Sequence, residues 1–354
     1  MKEKLYQITE VGKNEYHAGS KATKDAAVIA QRLGFETVPV RQINSKSSVF
    51  GKMIRQIYYW KDWTAAYKKI PKEAIVLLQH PFHHRQIARE RILKKLKKKK
   101  QVRFIALVHD VEQLREYRYN KYYKSEFAGM IGRSDVLIVH NAEMRDWFLQ
   151  QGVPGRKLIV LGIFDYLAEK DFTPHTSQYS TDVFIAGNLN LERSGYLAKL
   201  NEINGIRFIV YGPNPDEALL GFPNVIYGGS VLPEDLPKKL DKGYGLIWDG
   251  CGIDGCQDSA GQYLKYNNPH KLSLYLAAGL PVIIWKQAAE AGFVSEYGVG
   301  LLIDQLSEME ELTRSITEEA YQQMSQNACK VGEKIRAGYY LTSALNKAVQ
   351  GAKR

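Results

Sequence analysis

Asn268-Pro269-His270-Lys271, at the head of the run Leu272-Ser273-Leu274-Tyr275-Leu276-Ala277-Ala278-Gly279-Leu280-Pro281-Val282-Ile283-Ile284, is the stretch with the clearest chemical content. Asn268 suits an N-cap and Pro269 the first helical position, so Lys271 is expected in the first turn of a helix. Free backbone N–H groups beside a lysine ammonium form an anion site, and a diphosphate is a natural occupant. A capped helix with a solvated lysine uses the same residues, so the segment needs other groups around it to become a site.

Those groups are expected at strand ends. In the second half, Ala186-Gly187-Asn188-Leu189, Tyr211-Gly212-Pro213, Gly228-Gly229-Ser230-Val231 and Trp248-Asp249-Gly250 each follow a short apolar run. A glycine there lets a phosphate approach the backbone, and the Tyr211 ring could stack on a base or ribose. In the first half the apolar run 103–108 ends in His109-Asp110, followed closely by Glu112 and Arg115. Asp110 is a candidate to accept a hydroxyl proton, and His109 a candidate base or oxyanion partner; a structural hydrogen bond is the plainer use of such a pair. His17-Ala18-Gly19-Ser20 and Gln79-His80-Pro81 are expected to face the same cleft. No histidine or cysteine spacing matches a metal site, and Asp-x-Asp does not occur; no metal is expected.

The elements that must hold these residues alternate regularly. Strands are expected at 5–8, 36–40, 74–78, 103–108, 135–139 and 158–161, with helices at 21–33, 50–70, 85–98, 121–131 and 142–150. Residues 165–177 are polar and aperiodic and read as a linker. A second series follows, with strands at 182–186, 207–211, 224–227, 245–248, 281–284 and 300–303. Its helices are expected at 193–201, 236–239 and 271–278, then as one stretch over 307–337, with an amphipathic tail after 338. Strand–helix alternation implies parallel sheets covered on both faces. The expectation from the alternation is an α/β protein of two halves of similar size, over 1–168 and 178–337, followed by the helix 338–354.

The bulk numbers agree with two soluble cores: 354 residues and 45% hydrophobic content. No apolar run reaches transmembrane length and the N-terminus lacks a signal-peptide h-region, so a cytoplasmic protein with its three cysteines reduced is expected. The net charge is +11, concentrated in Arg89-Glu90-Arg91-Ile92-Leu93-Lys94-Lys95-Leu96-Lys97-Lys98-Lys99-Lys100. Such a helix suits peripheral contact with anionic membrane at the inner face, or a solvated lysine run. No nucleic-acid motif accompanies the charge, so no nucleic-acid partner is expected.

The whole chain resembles two-Rossmann-domain (GT-B type) glycosyltransferases. More narrowly it is similar to bacterial galactofuranosyltransferases and to the glucosyltransferases that extend O-linked GlcNAc on serine-rich repeat adhesins. Leu107-Val108-His109-Asp110 with Leu114-Arg115, Ile138-Val139-His140-Asn141, Ala186-Gly187-Asn188-Leu189 and residues 266–283 carry the likeness. The resemblance implies two Rossmann-like domains facing a cleft, an N-terminal acceptor domain over 1–168 with the helix 338–354 packing back on it and a C-terminal nucleotide-sugar-binding domain over 178–337, and transfer of a hexose (glucose, galactose or galactofuranose) from a UDP-sugar to a glycan or glycolipid acceptor. It implies donor contacts from Gly187, Asn188, Tyr211, Gly212, Val231, Asn268, His270 and Lys271. Asp110 and His109 would be the catalytic pair, with Gly19, Ser20, His80 and Arg115 lining the acceptor cleft, no cofactor and a homo-oligomeric state. Many retaining enzymes of this type carry a glutamate just before Tyr-Leu-Ala-Ala-Gly; here that position is Leu274. Two other readings remain: a nucleotide-sugar epimerase on the same fold, and a non-catalytic glycan-binding partner of a transferase.

Overall fold

The computed structural model describes residues 4–12, 18–43, 48–116, 119–169, 172–174, 176–192 and 194–353. His17, and Arg193 at the start of one expected helix, lie outside the described residues.

Two parallel six-stranded sheets dominate. The first holds β1 (Leu5–Val11), β2 (Glu36–Arg41), β3 (Ile75–His80), β4 (Arg103–Val108), β5 (Val136–Val139) and β6 (Leu158–Val160) in the order β2-β1-β3-β4-β5-β6. The second holds β7 (Gln178–Ala186), β8 (Phe208–Tyr211), β9 (Val225–Gly229), β10 (Lys242–Ile247), β11 (Val282–Trp285) and β12 (Gly300–Ile303) in the order β12-β11-β10-β7-β8-β9. Strands covered on both faces read as continuous apolar runs, as at Ile75-Val76-Leu77-Leu78, all buried. The strand order turns around beside β1 in the first sheet and beside β7 in the second, and ligands settle in the crevice at such points, beyond the strands' C-terminal ends.

The helix Tyr339–Lys353 does not stay with the second sheet. Leu341, Ala344, Leu345 and Ala348 join Leu77, Ile105, Leu107 and Ile138 in one core cluster against the first sheet. Asp165 accepts from the backbone N–H of Tyr340 (3.2 Å) and Leu341 (2.7 Å) and so ties down the start of that helix. The expected linker is therefore structured at its beginning. Phe164, Asp165, Tyr166 and Leu167 are all buried, and Leu167 is held by Lys21 Nζ at its carbonyl (2.6 Å) and by Asp25 at its N–H (2.8 Å).

Other expectations need correction. The stretch 307–337 is two helices, Met309–Ser315 and Glu318–Ala337, because Thr317 is extended and caps the second through Ala320 N–H. Gly195–Glu202 winds as a 3-10 helix. The helix expected to begin at Pro269 runs His270–Ala277, with Pro269 as N-cap and no side-chain cap. Asn268 is spent elsewhere, on the partner domain.

Candidate active site between the two sheets

On the second sheet, glycines occupy three adjacent strand ends. Gly187 N–H donates to Tyr211 O (3.0 Å) and Gly212 N–H to Gly229 O (3.1 Å), knitting the ends of β7, β8 and β9. A Cβ on Gly212 would lie 1.6 Å from the Gly187 carbonyl oxygen, so only glycine allows this approach. A Cβ on Gly187 would meet nothing within 4 Å, so its bare backbone faces open space. Asn188 follows, its Oδ1 accepting from Asn190 N–H (3.2 Å) and from Asn214 Nδ2 (3.2 Å). The Tyr211 ring is stacked on Phe184 with centroids 6.2 Å apart. Val231, just after β9, is half-buried against the core.

Lys271 reaches this edge at its turning point. Its ammonium donates to Trp248 O (2.8 Å) and Asp249 Oδ1 (3.1 Å), just past β10 and next to β7. Two of three ammonium hydrogens are thus engaged and the third remains for an anion. Lys271 has the backbone N–H groups of the helix start beside it. Leu274, where a glutamate was noted as absent, is buried in the core of the second domain.

On the first sheet, three adjacent strand ends carry histidines: His80 as the last residue of β3, His109 just after β4 and His140 just after β5. His109 Nε2 meets Gln79 Oε1 at 2.7 Å, and the Gln79 amide nitrogen donates to Thr23 O. That orientation of Gln79 makes His109 Nε2 the protonated nitrogen and leaves Nδ1 a lone pair. Burial, then the neighbouring histidine His140, pushes the His109 pKa down to about 3, so it is neutral. His140 Nδ1 accepts from Asn268 N–H (2.9 Å) while Nε2 donates to Val108 O (3.1 Å); burial holds it near 4. His270, on the second domain, is likewise held at about 4 by burial. His109, His140 and His270 pack around one ring, Phe164, at centroid distances of 5.5, 4.9 and 6.1 Å.

Asp110 is ion-paired with Arg115 (2.9 Å) and accepts from the Tyr263 hydroxyl (3.3 Å). Tyr263 belongs to the second half and also accepts from Val111 N–H at 3.0 Å. His80 is buried, its Nδ1 2.5 Å from Glu126 Oε1 and its Nε2 without a partner among the described residues. Burial would raise Glu126, but the His80 charge and hydrogen bond hold it below the usual carboxylate range. His80, Asp110, Glu112, Tyr123 and Glu126 line one small recess. Gly19 and Ser20 lie in the first turn of the helix Ala18–Arg32, beyond β1.

The two sets meet through Asn268. Its amide nitrogen donates to His140 O (3.1 Å) and Gly162 O (2.8 Å), and its oxygen accepts from Asn141 Nδ2 (2.8 Å). Sequence reasoning missed Phe164, Tyr263, Glu126 and the His140–Asn141 pair as parts of this region. One signal was available for the last, since Ile138-Val139-His140-Asn141 follows the same apolar-run-then-histidine pattern as Leu107-Val108-His109-Asp110; the structure pairs Leu107 with Ile138, which sets His140-Asn141 beside His109-Asp110. Among the described residues no group of three or more His, Cys, Asp or Glu is placed to hold a metal ion, and no helix is long and apolar enough to cross a membrane.

The comparisons with known proteins follow the same two halves. Residues 5–163 match the family model "Glucosyltransferase 3-like, N-terminal domain" and residues 183–348 its C-terminal counterpart. A beta-1,6-galactofuranosyltransferase of Escherichia coli (strain K12) is 30% identical, covering 99% of each chain. Glucosyltransferase 3 of Streptococcus gordonii is 27% identical over 93% of each. Among solved structures, an alpha-glucosyltransferase in complex with UDP has a TM-score of 0.63 at 13% identity, covering 98% of this chain and 100% of that one. Anabaena HepE in complex with UDP-glucose has 0.62 at 10% identity and 99% coverage of both. These structures share the two-domain GT-B architecture. Matched through both halves and along its full length, the chain belongs to the glucosyltransferase 3-like family of glycosyltransferases.

Proposed function

We propose that the chain moves a hexose (glucose, galactose or galactofuranose) from a UDP-sugar to a glycan acceptor on a glycoprotein or a lipid-linked polysaccharide precursor. One observation carries the donor side: a lysine with an unspent ammonium hydrogen stands at the turning point of the second sheet, beside the bare Gly187 backbone. Diphosphate would bind Lys271 and the helix-start N–H groups, with Gly187, Asn188 and Gly212 letting it approach and Tyr211 and Val231 toward the nucleoside. The leaving diphosphate gains charge as the glycosidic bond breaks, and fixed donors there stabilise that charge. Asn268 and His270 join the donor loop to the first domain, so donor binding and domain closure are linked.

The acceptor would enter from the first sheet, between Gly19, Ser20, His80 and Arg115. Asp110 would accept its hydroxyl proton once Arg115 turns to the substrate. His109, neutral and with Nδ1 unprotonated, acts by hydrogen bonding rather than as an acid. Peripheral contact with anionic membrane through the run 89–100, and assembly of a homo-oligomer, belong to the same proposal.

Release of UDP from UDP-glucose, UDP-galactose and UDP-galactofuranose, each with and without acceptor glycan, tests the reading. A transferase releases UDP in proportion to acceptor. Sugar isomerisation without acceptor would identify an epimerase, and no UDP binding by titration calorimetry would identify a glycan-binding partner.

A further inference from the structure

The basic run does not act alone on the surface. Arg89 is buried, its guanidinium 4.1 Å from the Phe82 ring centroid and bonded to His84 O and Tyr122 Oη. Lys97 is paired with Asp135, and Lys100 is bonded to the carbonyls of Tyr67 and Ile70. The residues left facing water include Arg91, Lys94, Lys95, Lys98 and Lys99. Ile87, Arg91, Lys94 and Lys98 recur at helical spacing on the outer face of the helix Ile87–Lys100.

The neighbouring helix Val49–Lys69 continues this face with apolar groups. Its inner face is Tyr59, Trp63 and Ala66, all fully buried. Outside, Met53, Ile57 and Trp60 follow the i, i+4, i+7 spacing and are 63%, 58% and 44% exposed; Ile87 on the next helix is 63% exposed. The two helices are joined there, since Gln56 bonds Arg85 O (3.0 Å) and Ile87 N–H (3.0 Å). Arg91 lies 5.5 Å from the Trp60 ring centroid, at the seam between the apolar and basic parts. Each helix follows its strand, β2 or β3, after only a short connection and so starts toward the C-terminal edge of the sheet. The apolar end of the patch is therefore on the edge of the domain that carries His80, His109 and Asp110, and the lysines trail away from it.

We propose that Met53, Ile57, Trp60 and Ile87 insert into an anionic lipid surface, with Arg91, Lys94 and Lys98 on the headgroups, and that the acceptor is a glycan carried on a membrane lipid. Apolar residues capped by an indole and flanked by lysines match the layering of a bilayer interface, where tryptophan is favoured. A second copy of the chain fits less well. A two-fold contact would set Arg91, Lys94 and Lys98 against their own copies. The inference rests on the membrane contact proposed above and adds insertion and the class of acceptor to it.

Vesicles of phosphatidylcholine with phosphatidylglycerol, compared with phosphatidylcholine alone, test it on the full chain. Trp60 is the one exposed indole of the five, the others being at most 9% exposed, so vesicle-induced emission changes report on it. The wild type should bind the anionic vesicles, shift its emission to the blue and be quenched by lipids brominated in the acyl chain. Met53→Ser with Ile57→Ser should weaken binding about tenfold or more, and Trp60→Phe should abolish the shift, with the thermal midpoint unchanged in both. Lys94→Glu with Lys98→Glu should abolish binding. A wild type that ignores anionic vesicles at low salt overturns the membrane contact as a whole. Salt-sensitive binding with no blue shift, and unaffected by the serine variants, overturns insertion while leaving the charge contact standing. Serine variants that split an oligomer instead show that the patch is a subunit interface and overturn the proposal. Preference for a glycopeptide acceptor over the same glycan on a lipid would refute the acceptor class alone.

Discussion

Replacing Lys271 with alanine removes one ammonium from the edge of the second sheet and little else. The ammonium rests on Trp248 O and Asp249 Oδ1 at 2.8 and 3.1 Å, with the Asp249 side chain 34% exposed. An ion pair that open contributes about 0–1 kcal/mol, so the fold should keep its thermal midpoint within a few degrees. Binding is different, because the third ammonium hydrogen would meet a phosphate oxygen. A hydrogen bond between charged groups contributes about 1.5–3 kcal/mol, so the UDP dissociation constant should rise roughly tenfold to hundredfold. Uridine, which lacks phosphate, should bind both proteins equally. Asp249→Asn sharpens the test. A phosphate at Lys271 would lie roughly 6 Å from that carboxylate, and two like charges at that distance repel by about 3 kcal/mol at an effective dielectric of about 20. Removing the charge should therefore tighten UDP binding if the diphosphate sits at Lys271. Titration calorimetry at fixed salt measures all three. Unchanged UDP affinity in Lys271→Ala, or equal losses for UDP and uridine, refutes the diphosphate assignment.

Asp110→Asn should lower transfer by about 10²–10⁴-fold with UDP affinity unchanged; near-normal turnover would remove Asp110 as the base. Glu290 is buried, its Oε2 has no partner among the described residues, and burial pushes its carboxyl up to about 8. The folded state then keeps a proton that the unfolded chain has released, so its contribution to stability falls as pH rises from about 4 through about 8. Glu290→Gln should therefore be neutral near pH 4 and stabilising by on the order of 2 kcal/mol near pH 9, read from thermal melts across that range; a flat difference contradicts it. Asn268→Ala leaves the His140 and Gly162 carbonyls and the Asn141 amide short of partners, and should cost roughly 2–4 kcal/mol in urea unfolding. A double-mutant cycle with Asn141→Ala should show coupling of about 0.5–3 kcal/mol, and additive losses would break the proposed link between the halves.

Strand positions were readable because fully covered parallel strands have to be apolar throughout, and Ile75-Val76-Leu77-Leu78 or Val282-Ile283-Ile284 admits no other use. Helix ends were less legible. Asn268-Pro269 has the composition of a cap and first turn, yet the asparagine is drawn off by His140, Asn141 and Gly162, more than a hundred residues away. Asp165 reads as one more polar linker residue for the same reason, since its partners are the N–H groups of Tyr340 and Leu341. Local chemistry located Lys271 at a helix start and His109-Asp110 at a strand end. It could not find Tyr263 beside Asp110 or Phe164 among three histidines, because those contacts exist only once the two sheets face each other, nor Glu126 beside His80, which meet only when the helix Lys121–Arg133 packs on the first sheet. The break at Thr317 was legible in principle, as a threonine followed by two glutamates is an ordinary helix start.

The return of Tyr339–Lys353 to the first sheet has a consequence for biosynthesis. When residue 168 leaves the ribosome, every strand of that sheet has been made, but the layer that shields Leu77, Ile105, Leu107 and Ile138 on one side is incomplete: Ala26, Ile29 and Ala30 are made, and Leu341, Ala344, Leu345 and Ala348 are not. Part of that face stays open through translation of the second domain, at roughly 5–20 residues per second. The amino-terminal domain is thus finished last, and a fragment ending near residue 168 should aggregate unless residues 339–353 are supplied in trans. The clasp at Asp165 also makes the order of folding a checkpoint. Only a chain translated through the helix Tyr339–Lys353 can close its first domain, so a transferase truncated before it would offer exposed apolar surface to quality control before it could offer a working acceptor site.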